Sequence, residues 1–352
     1  MNEKKRGARP RWISAAVLIP SFLGALACSG PPPPAGSSHP AGAAALFSRE
    51  RVTIAVTDSG LGGLSIMAEA ASRMKAARAF RGVDLVFWNA LFSNDSGYNS
   101  LPSREDKVRI FDASLRSLAA EVKPDLILVG CNTLSVLLGD VPFARTADVP
   151  VLGIVDTGVE MMAEALSRNP RAAGLLLGTA TTIAEGEHRR KLLAAGIEEE
   201  RLVSQPCPDL VGLIESDWRG EEAARLIETY IGEAADRLPD AGAPVYAGLF
   251  CTHFGYASAL WERAFARRGL TLAGLVNPNS RWVDALDPPA RRNRFPETEV
   301  RARVISMVEN PAAVRDALGE WLRPLSSETE DALKNYDLRP GLFEWKSLLK
   351  SD

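Results

Sequence analysis

Leu126-Ile-Leu-Val-Gly-Cys131-Asn-Thr133 and Tyr246-Ala-Gly-Leu-Phe-Cys251-Thr-His253 repeat one pattern, 120 residues apart from Cys131 to Cys251. Each is a short apolar run closed by a cysteine and then by polar side chains. Apolar runs of that length without polar alternation read as strands covered on both faces, the kind a parallel sheet uses. Moving the same 120 residues on from Asp58-Ser59 lands on Gly178-Thr179, another strand-to-turn junction bearing a hydroxyl. The chain therefore reads as two related halves, each ending a strand on a cysteine. One such cysteine would be filler; two at equivalent places are a signal.

The same rhythm runs outward from these segments. Val52-Thr-Ile-Ala-Val56 stops at Asp58-Ser-Gly-Leu-Gly-Gly63, and Leu64 to Ala79 follows with helical spacing. Val83 to Trp88, Val149 to Val155 and Gly174 to Leu177 read as further strands, and Asp106 to Ala120 as a helix. Strands alternating with helices predict an α/β fold of two similar parallel-sheet domains, with the active site in the cleft between them.

Composition narrows the function. Forty-one basic against 44 acidic side chains leave a net charge of −3, so no overall positive field recruits nucleic acid. Twenty-four aromatic residues (7 Trp, 5 Tyr, 12 Phe) argue against general disorder. The four cysteines have no zinc spacing, and three histidines, at 39, 188 and 253, exclude a His-rich metal site. No metal is expected.

The first residues have a different character. Lys4, Lys5, Arg6, Arg9 and Arg11 precede an apolar run from Trp12 to Ala27, too short to span a bilayer comfortably, which reads as a secretory signal. Ala25-Leu26-Ala27-Cys28 followed by Pro31 to Pro34 resembles a bacterial lipoprotein signal, with Ala25 where that pattern usually has Leu. The expectation is a signal peptide at 1–28, lipidation at Cys28, a flexible linker at 29–50, and an exported protein on the periplasmic side of a membrane. A plain signal peptide and a cytoplasmic protein with a spurious N-terminus are the alternatives.

In open parallel sheets ligands bind beyond the carboxyl ends of the strands. Asp58-Ser59, Cys131-Asn132-Thr133, Gly178-Thr179 to Thr182 and Cys251-Thr252-His253 all fall at such ends. If the halves face each other, each side of a shared cleft contributes one thiol, among hydroxyls and amides suited to a small anion such as an amino acid. Two opposed thiols fit a two-base racemase, one removing the Cα proton while the other delivers a proton to the opposite face. A thiol needs help to ionise, and Asp58 and His253 are the candidates to give it. No lysine with a matching phosphate loop marks pyridoxal phosphate, and no cofactor is expected.

With these motifs the chain resembles the aspartate/glutamate racemase superfamily, and most closely the glutamate racemases, over roughly Thr53 to Leu286. Asp58-Ser-Gly-Leu-Gly-Gly-Leu64 is similar to that family's opening turn, and Cys131-Asn-Thr and Cys251-Thr-His to its two cysteine motifs. Gly178-Thr-Ala-Thr-Thr-Ile183 is similar to its second-domain loop, and Gln205-Pro-Cys-Pro-Asp-Leu210 with Glu215 to its Cys-Pro-x-Leu segment. The resemblance implies Cys131 and Cys251 as proton carriers assisted by Asp58 and His253. It implies Asp58, Ser59, Tyr98, Asn99, Asn132, Thr133, Thr179, Thr182, Thr252 and His253 around a small acidic amino acid. Cys207, with no partner motif around it, reads as structural. The resemblance also implies that the chain returns to its first domain, giving domains 51–152 plus 276–325 and 153–275, with a tail at 326–352.

Dimers are common in that family, so a homodimer is a further expectation, and D-glutamate made by such enzymes serves cell-wall peptidoglycan. Three places depart from the family pattern. Tyr98 alone matches its Pro-Tyr-Gly loop, Phe250 stands where it usually has Gly, and Asn277-Pro-Asn-Ser280 differs. Glutamate, aspartate and a broader substrate range all fit the sequence. Two other readings compete: a lipid-anchored binding protein that clasps an acidic amino acid between two α/β lobes, and a relative acting on a hydantoin or malonate.

Overall fold

Strands that read as unbroken Val, Ile and Leu runs need cover on both faces, and helices supply it. The structure, a computed structural model, describes residues 45–240 and 242–349; the signal and Cys28 lie outside them. Its strands are β1 (Arg51–Asp58), β2 (Gly82–Asn89), β3 (Leu126–Val129), β4 (Val151–Gly153) and β5 (Ala173–Gly178). They continue with β6 (Leu202–Pro206), β7 (Val245–Phe250), β8 (Leu272–Val276), β9 (Glu299–Ser306) and β10 (Asp337–Leu338).

Two sheets result, ordered β10-β9-β2-β1-β3-β4 and β6-β5-β7-β8. Every ladder is parallel. The run β2-β1-β3-β4 in the first sheet has the same order as β6-β5-β7-β8 in the second. This is the duplication heard in the sequence: Cys131 follows β3, Cys251 follows its counterpart β7, and Asp58 and Gly178 end the counterparts β1 and β5. In each sheet the chain runs outward in both directions from the central strand, β1 or β5. The gap between β1 and β3, and between β5 and β7, is therefore a switch point, where a crevice opens beyond the strand ends.

Helices close the faces. α1 (Leu64–Ala77) buries nine of its residues, among them Leu64, Ile66, Met67 and Met74, and ends at Arg78 in the left-handed region, φ 53°. α2 (Arg104–Val122) starts at Ser103, whose hydroxyl accepts from the Asp106 N–H at 3.0 Å. In the second half α3 (Val155–Arg168), α4 (Ala180–Glu185), α5 (Glu187–Ala194) and α6 (Leu210–Ser216) follow.

Several boundaries differ from the sequence reading. Residues 45–50, assigned to the linker, carry part of the core: Leu46 and Phe47 are buried, and Phe47 stacks on Phe80 with centroids 5.1 Å apart. The strand expected over 149–155 is only Val151–Gly153, because Val155 already begins α3. β6, β8 and β9 are strands beyond those the sequence pattern predicts. β9 carries Arg301 and Arg303 on an exposed face, so it lacks the apolar run that marked the others. It nevertheless pairs with β2 along all eight residues, returning the chain to the first sheet. The stretch from 326 adds α7 (Ser327–Lys334) and the edge strand β10. Among the described residues no helix is long and apolar enough to cross a membrane.

Candidate active site

The two Cys loops and the glycine turn after β1 meet at one cavity of about 480 Å³. Asp58, Ser59, Tyr98, Asn99, Cys131, Asn132 and Thr133 line it from the first half, and Thr179, Cys251, Thr252 and His253 from the second. Thr182 is the expected residue that does not line it. It is buried behind Thr179, its hydroxyl 3.0 Å from that of Thr179 and 3.4 Å from that of Thr133. The Thr133 and Thr179 hydroxyls lie 2.9 Å apart and tie the loop after β3 to the loop after β5.

Glycine in the turn is dictated by closeness. A Cβ on Gly62 would sit 2.4 Å from Thr252 Oγ1 and 2.6 Å from His253 Nδ1, so only a residue without one lets the second Cys loop dock there. Once docked, Thr252 Oγ1 donates to Asp58 Oδ2 at 2.8 Å, and the Gly63 N–H donates to the same oxygen at 2.6 Å. The two halves thus share the Asp58 carboxylate.

Each thiol has its own charged neighbour. Cys131 Sγ lies 3.2 Å from Ser59 Oγ, with the Asp58 carboxyl beside it. Burial, reinforced by the Asp58 charge, pushes the Cys131 thiol well above its ordinary range, while the Ser59 hydroxyl works the other way. Burial also raises Asp58, against the pull of His253. A thiol and a carboxyl side by side in a dry site hold their proton between them, so the carboxyl can take it when the sulfur must ionise.

On the other side Cys251 Sγ is 3.7 Å from His253 Nδ1, and His253 Nε2 is 2.6 Å from Glu215 Oε1. Burial opposes charge on His253, but its hydrogen bonds to Cys251 and Glu215 outweigh burial and hold it well above an ordinary imidazole. Glu215 likewise resists burial: its bond to His253 and the Leu61 N–H, donated at 2.9 Å, hold it below the usual carboxylate range. His253 therefore has the Cys251 sulfur beside one ring nitrogen and the Glu215 carboxylate beside the other, a setting that favours its protonated form. Cys131, Cys207 and Cys251 are free thiols.

Glu215, on α6, lies outside the site residues the sequence predicts, yet it lines the cavity and bonds His253, which in turn faces Cys251. Cys207, read as structural, also lines the cavity. Two buried polar atoms of lining residues have no partner in the protein: Tyr98 Oη and Asn132 Nδ2. Buried donors left unpaired are costly, and a ligand with acceptor oxygens would satisfy both. Among the described residues no cluster of three or more His, Cys, Asp or Glu could hold a metal ion.

Two free thiols at matching strand ends of duplicated parallel sheets thus line one cavity, each beside titratable side chains, an arrangement suited to moving protons. Residues 59–245 match the family described as Asp/Glu/Hydantoin racemase, and the chain belongs to that family, an isomerase of the racemase class. The glutamate racemase of Aquifex pyrophilus is 26% identical over 202 residues, 57% of this chain and 70% of that protein. Two solved structures share the fold, each with a TM-score of 0.58. Glutamate racemase from Campylobacter jejuni subsp. jejuni is 21% identical, covering 78% of this chain and 100% of its own. Glutamate racemase from Francisella tularensis subsp. tularensis SCHU S4, in complex with D-glutamate, is 19% identical and covers 79% and 94%.

Proposed function

We propose that this protein interconverts the L and D forms of glutamate, or of a closely related acidic amino acid, by a cofactor-independent, two-base mechanism. One observation carries the reading: Cys131 and Cys251 are free thiols from counterpart strand ends of separate sheets, and they line one cavity. In the reaction one sulfur takes the Cα proton as thiolate while the other, as thiol, gives its proton to the opposite face. Asp58 serves Cys131, and the His253–Glu215 pair serves Cys251. The Cα proton is very weakly acidic, so the carbanion depends on donors fixed in a desolvated site. Ser59, Asn132, Thr133, Thr179 and Thr252, with the buried Tyr98 and the more exposed Asn99, supply such polar groups around the substrate. The glutamate racemase relatives favour glutamate as that substrate. In the sequence resemblance Cys131 acts on the D form and Cys251 on the L form.

The test is incubation with L- or D-glutamate in deuterated water without cofactor. Optical rotation should fall to zero. Product isolated early should carry deuterium at Cα while recovered substrate stays unlabelled, since each proton is exchanged on a different sulfur. Binding of glutamate with rotation unchanged would instead support a clasping protein. For location, the basic head, apolar run and Cys28 support export with a lipid anchor, which would put the reaction outside the cytoplasm.

A further inference from the structure

His188 belongs to no motif singled out above, yet it is only 4% exposed and touches both cysteine loops. Its Nε2 lies 3.1 Å from Oδ1 of Asn132, the residue after Cys131. Its ring stacks on Phe250, the residue before Cys251, with centroids 4.2 Å apart and planes 17° from parallel. Space for that stack is kept by two glycines. A Cβ on Gly248 would fall 2.6 Å from Phe250 Cζ, and one on Gly158 would fall 2.9 Å from Cε1. The stack fixes the plane of the imidazole, and with it the edge presented to Asn132.

Asn132 is 1% exposed, lines the cavity, and has its carbonyl end engaged by His188 while Nδ2 has no partner. We propose that His188 is a positioning residue: it donates Nε2–H to Asn132 Oδ1 and so holds the Asn132 amide with its N–H₂ free to donate to a substrate carboxylate. This rests on the racemase reading of the cavity.

An amide has two unlike ends, and only one suits an anion. Were Nε2 the bare nitrogen of the ring, it would draw Nδ2 toward itself and turn Oδ1, an acceptor, to face the substrate's oxygens. The charge state favours a single, decisive N–H. Burial and then the Lys191 charge push His188 down to about 3, against the opposing pull of Asp156, so the ring is neutral. Lys191 is itself paired with Asp156 and Glu187. Phe250, the departure from the family's glycine, thereby couples the second Cys loop to the orientation of a side chain in the first.

The experiment uses ligand-free protein labelled with 15N-histidine, in which three imidazoles are present and His188 is assigned by its loss in H188F or H188Q. The expected result at pH 7 is a neutral ring protonated on Nε2; a ring protonated on Nδ1, or on both nitrogens, overturns the proposal. Kinetics supply the second arm. H188F keeps the stack but not the donor and should raise KM for D- and L-glutamate about tenfold to a hundredfold, with kcat changed less than about threefold. H188Q, whose amide can donate, should restore most of the loss, and H188F should change little in an Asn132→Ala background. An unchanged KM in H188F, or failure of H188Q to recover it, overturns the proposal. If wild-type protein neither binds nor racemises glutamate or aspartate, the racemase reading fails on its own, while the tautomer still decides the His188–Asn132 contact.

Discussion

Replacing Glu215 with Gln isolates the charge of the Cys251 relay from its geometry. Gln keeps an acceptor at Oε1, so the 2.6 Å bond from His253 and the 2.9 Å bond from the Leu61 N–H can both survive. What goes is the negative charge. Two unit charges about 4 Å apart interact by about 4 kcal/mol at an effective dielectric near 20, and desolvation offsets part of that, leaving roughly 2–3 kcal/mol. His253 would then lose the partner that outweighs its burial and fall toward the neutral form. If the imidazolium supports proton transfer at Cys251, that loss corresponds to roughly 30- to 150-fold in kcat. Wash-out of the Cα proton from L-glutamate should suffer, and wash-out from D-glutamate at Cys131 much less. The pH dependence of the L-directed step should move toward acid, because His253 now deprotonates lower.

Stability follows the same pair. His253, raised above its ordinary 6.5, contributes fully below about pH 6.5 and loses that contribution as pH climbs through the raised value. Glu215, lowered from 4.5, contributes above about 4.5 and loses it as pH falls through the lowered value. E215Q should therefore be least stable relative to wild type between these limits, with the deficit shrinking at both extremes. Thermal melts from pH 4 to 10 and exchange kinetics in deuterated water measure both. A variant with both exchange rates within twofold of wild type, and an unmoved pH profile, would remove Glu215 from the proton relay.

Four further outcomes are expected. Cys131→Ala or Cys251→Ala should abolish net inversion, each retaining Cα exchange with only one enantiomer; a double variant racemising at the wild-type rate would assign the chemistry elsewhere. Gly62→Ala forces a Cβ to 2.4 Å from Thr252 Oγ1, so it should cost about 1–3 kcal/mol in urea unfolding and most of the activity; wild-type turnover would contradict the docking of the second Cys loop. Trp345 packs 4.9 Å from Phe92, which meets Tyr98 edge-on at 5.3 Å, so Trp345→Ala should raise KM severalfold and cost about 1–3 kcal/mol, and an unchanged KM would free Tyr98 from that chain of rings. Cys28→Ala should leave the protein unlipidated in a membrane fractionation with mass analysis; native protein found in the cytosol with Met1 retained refutes export.

Much of this was legible in the linear sequence because it depends on local chemistry. Strands buried on both faces must be apolar throughout, so β1, β2, β3, β5 and β7 announced themselves, and the 120-residue spacing from Cys131 to Cys251 disclosed the duplication. Asp58, Cys131, Cys251 and His253 came from the same logic, since strand ends beside a switch point are where a parallel sheet exposes polar groups. Tertiary structure alone decided the pairings. Glu215 reaches His253 across 38 residues and Asn132 reaches His188 across 56, and no periodicity encodes a partner at that range. The same holds for β9, whose arginines hide a strand that only pairing with β2 creates, and for Leu46 and Phe47, at the end of a tract of Pro, Gly, Ser and Ala without apolar periodicity. A sequence states which side chains avoid water and where the backbone turns. Which buried donor meets which acceptor, and so which protons can move, is set by contacts that exist only once the two halves have closed on each other.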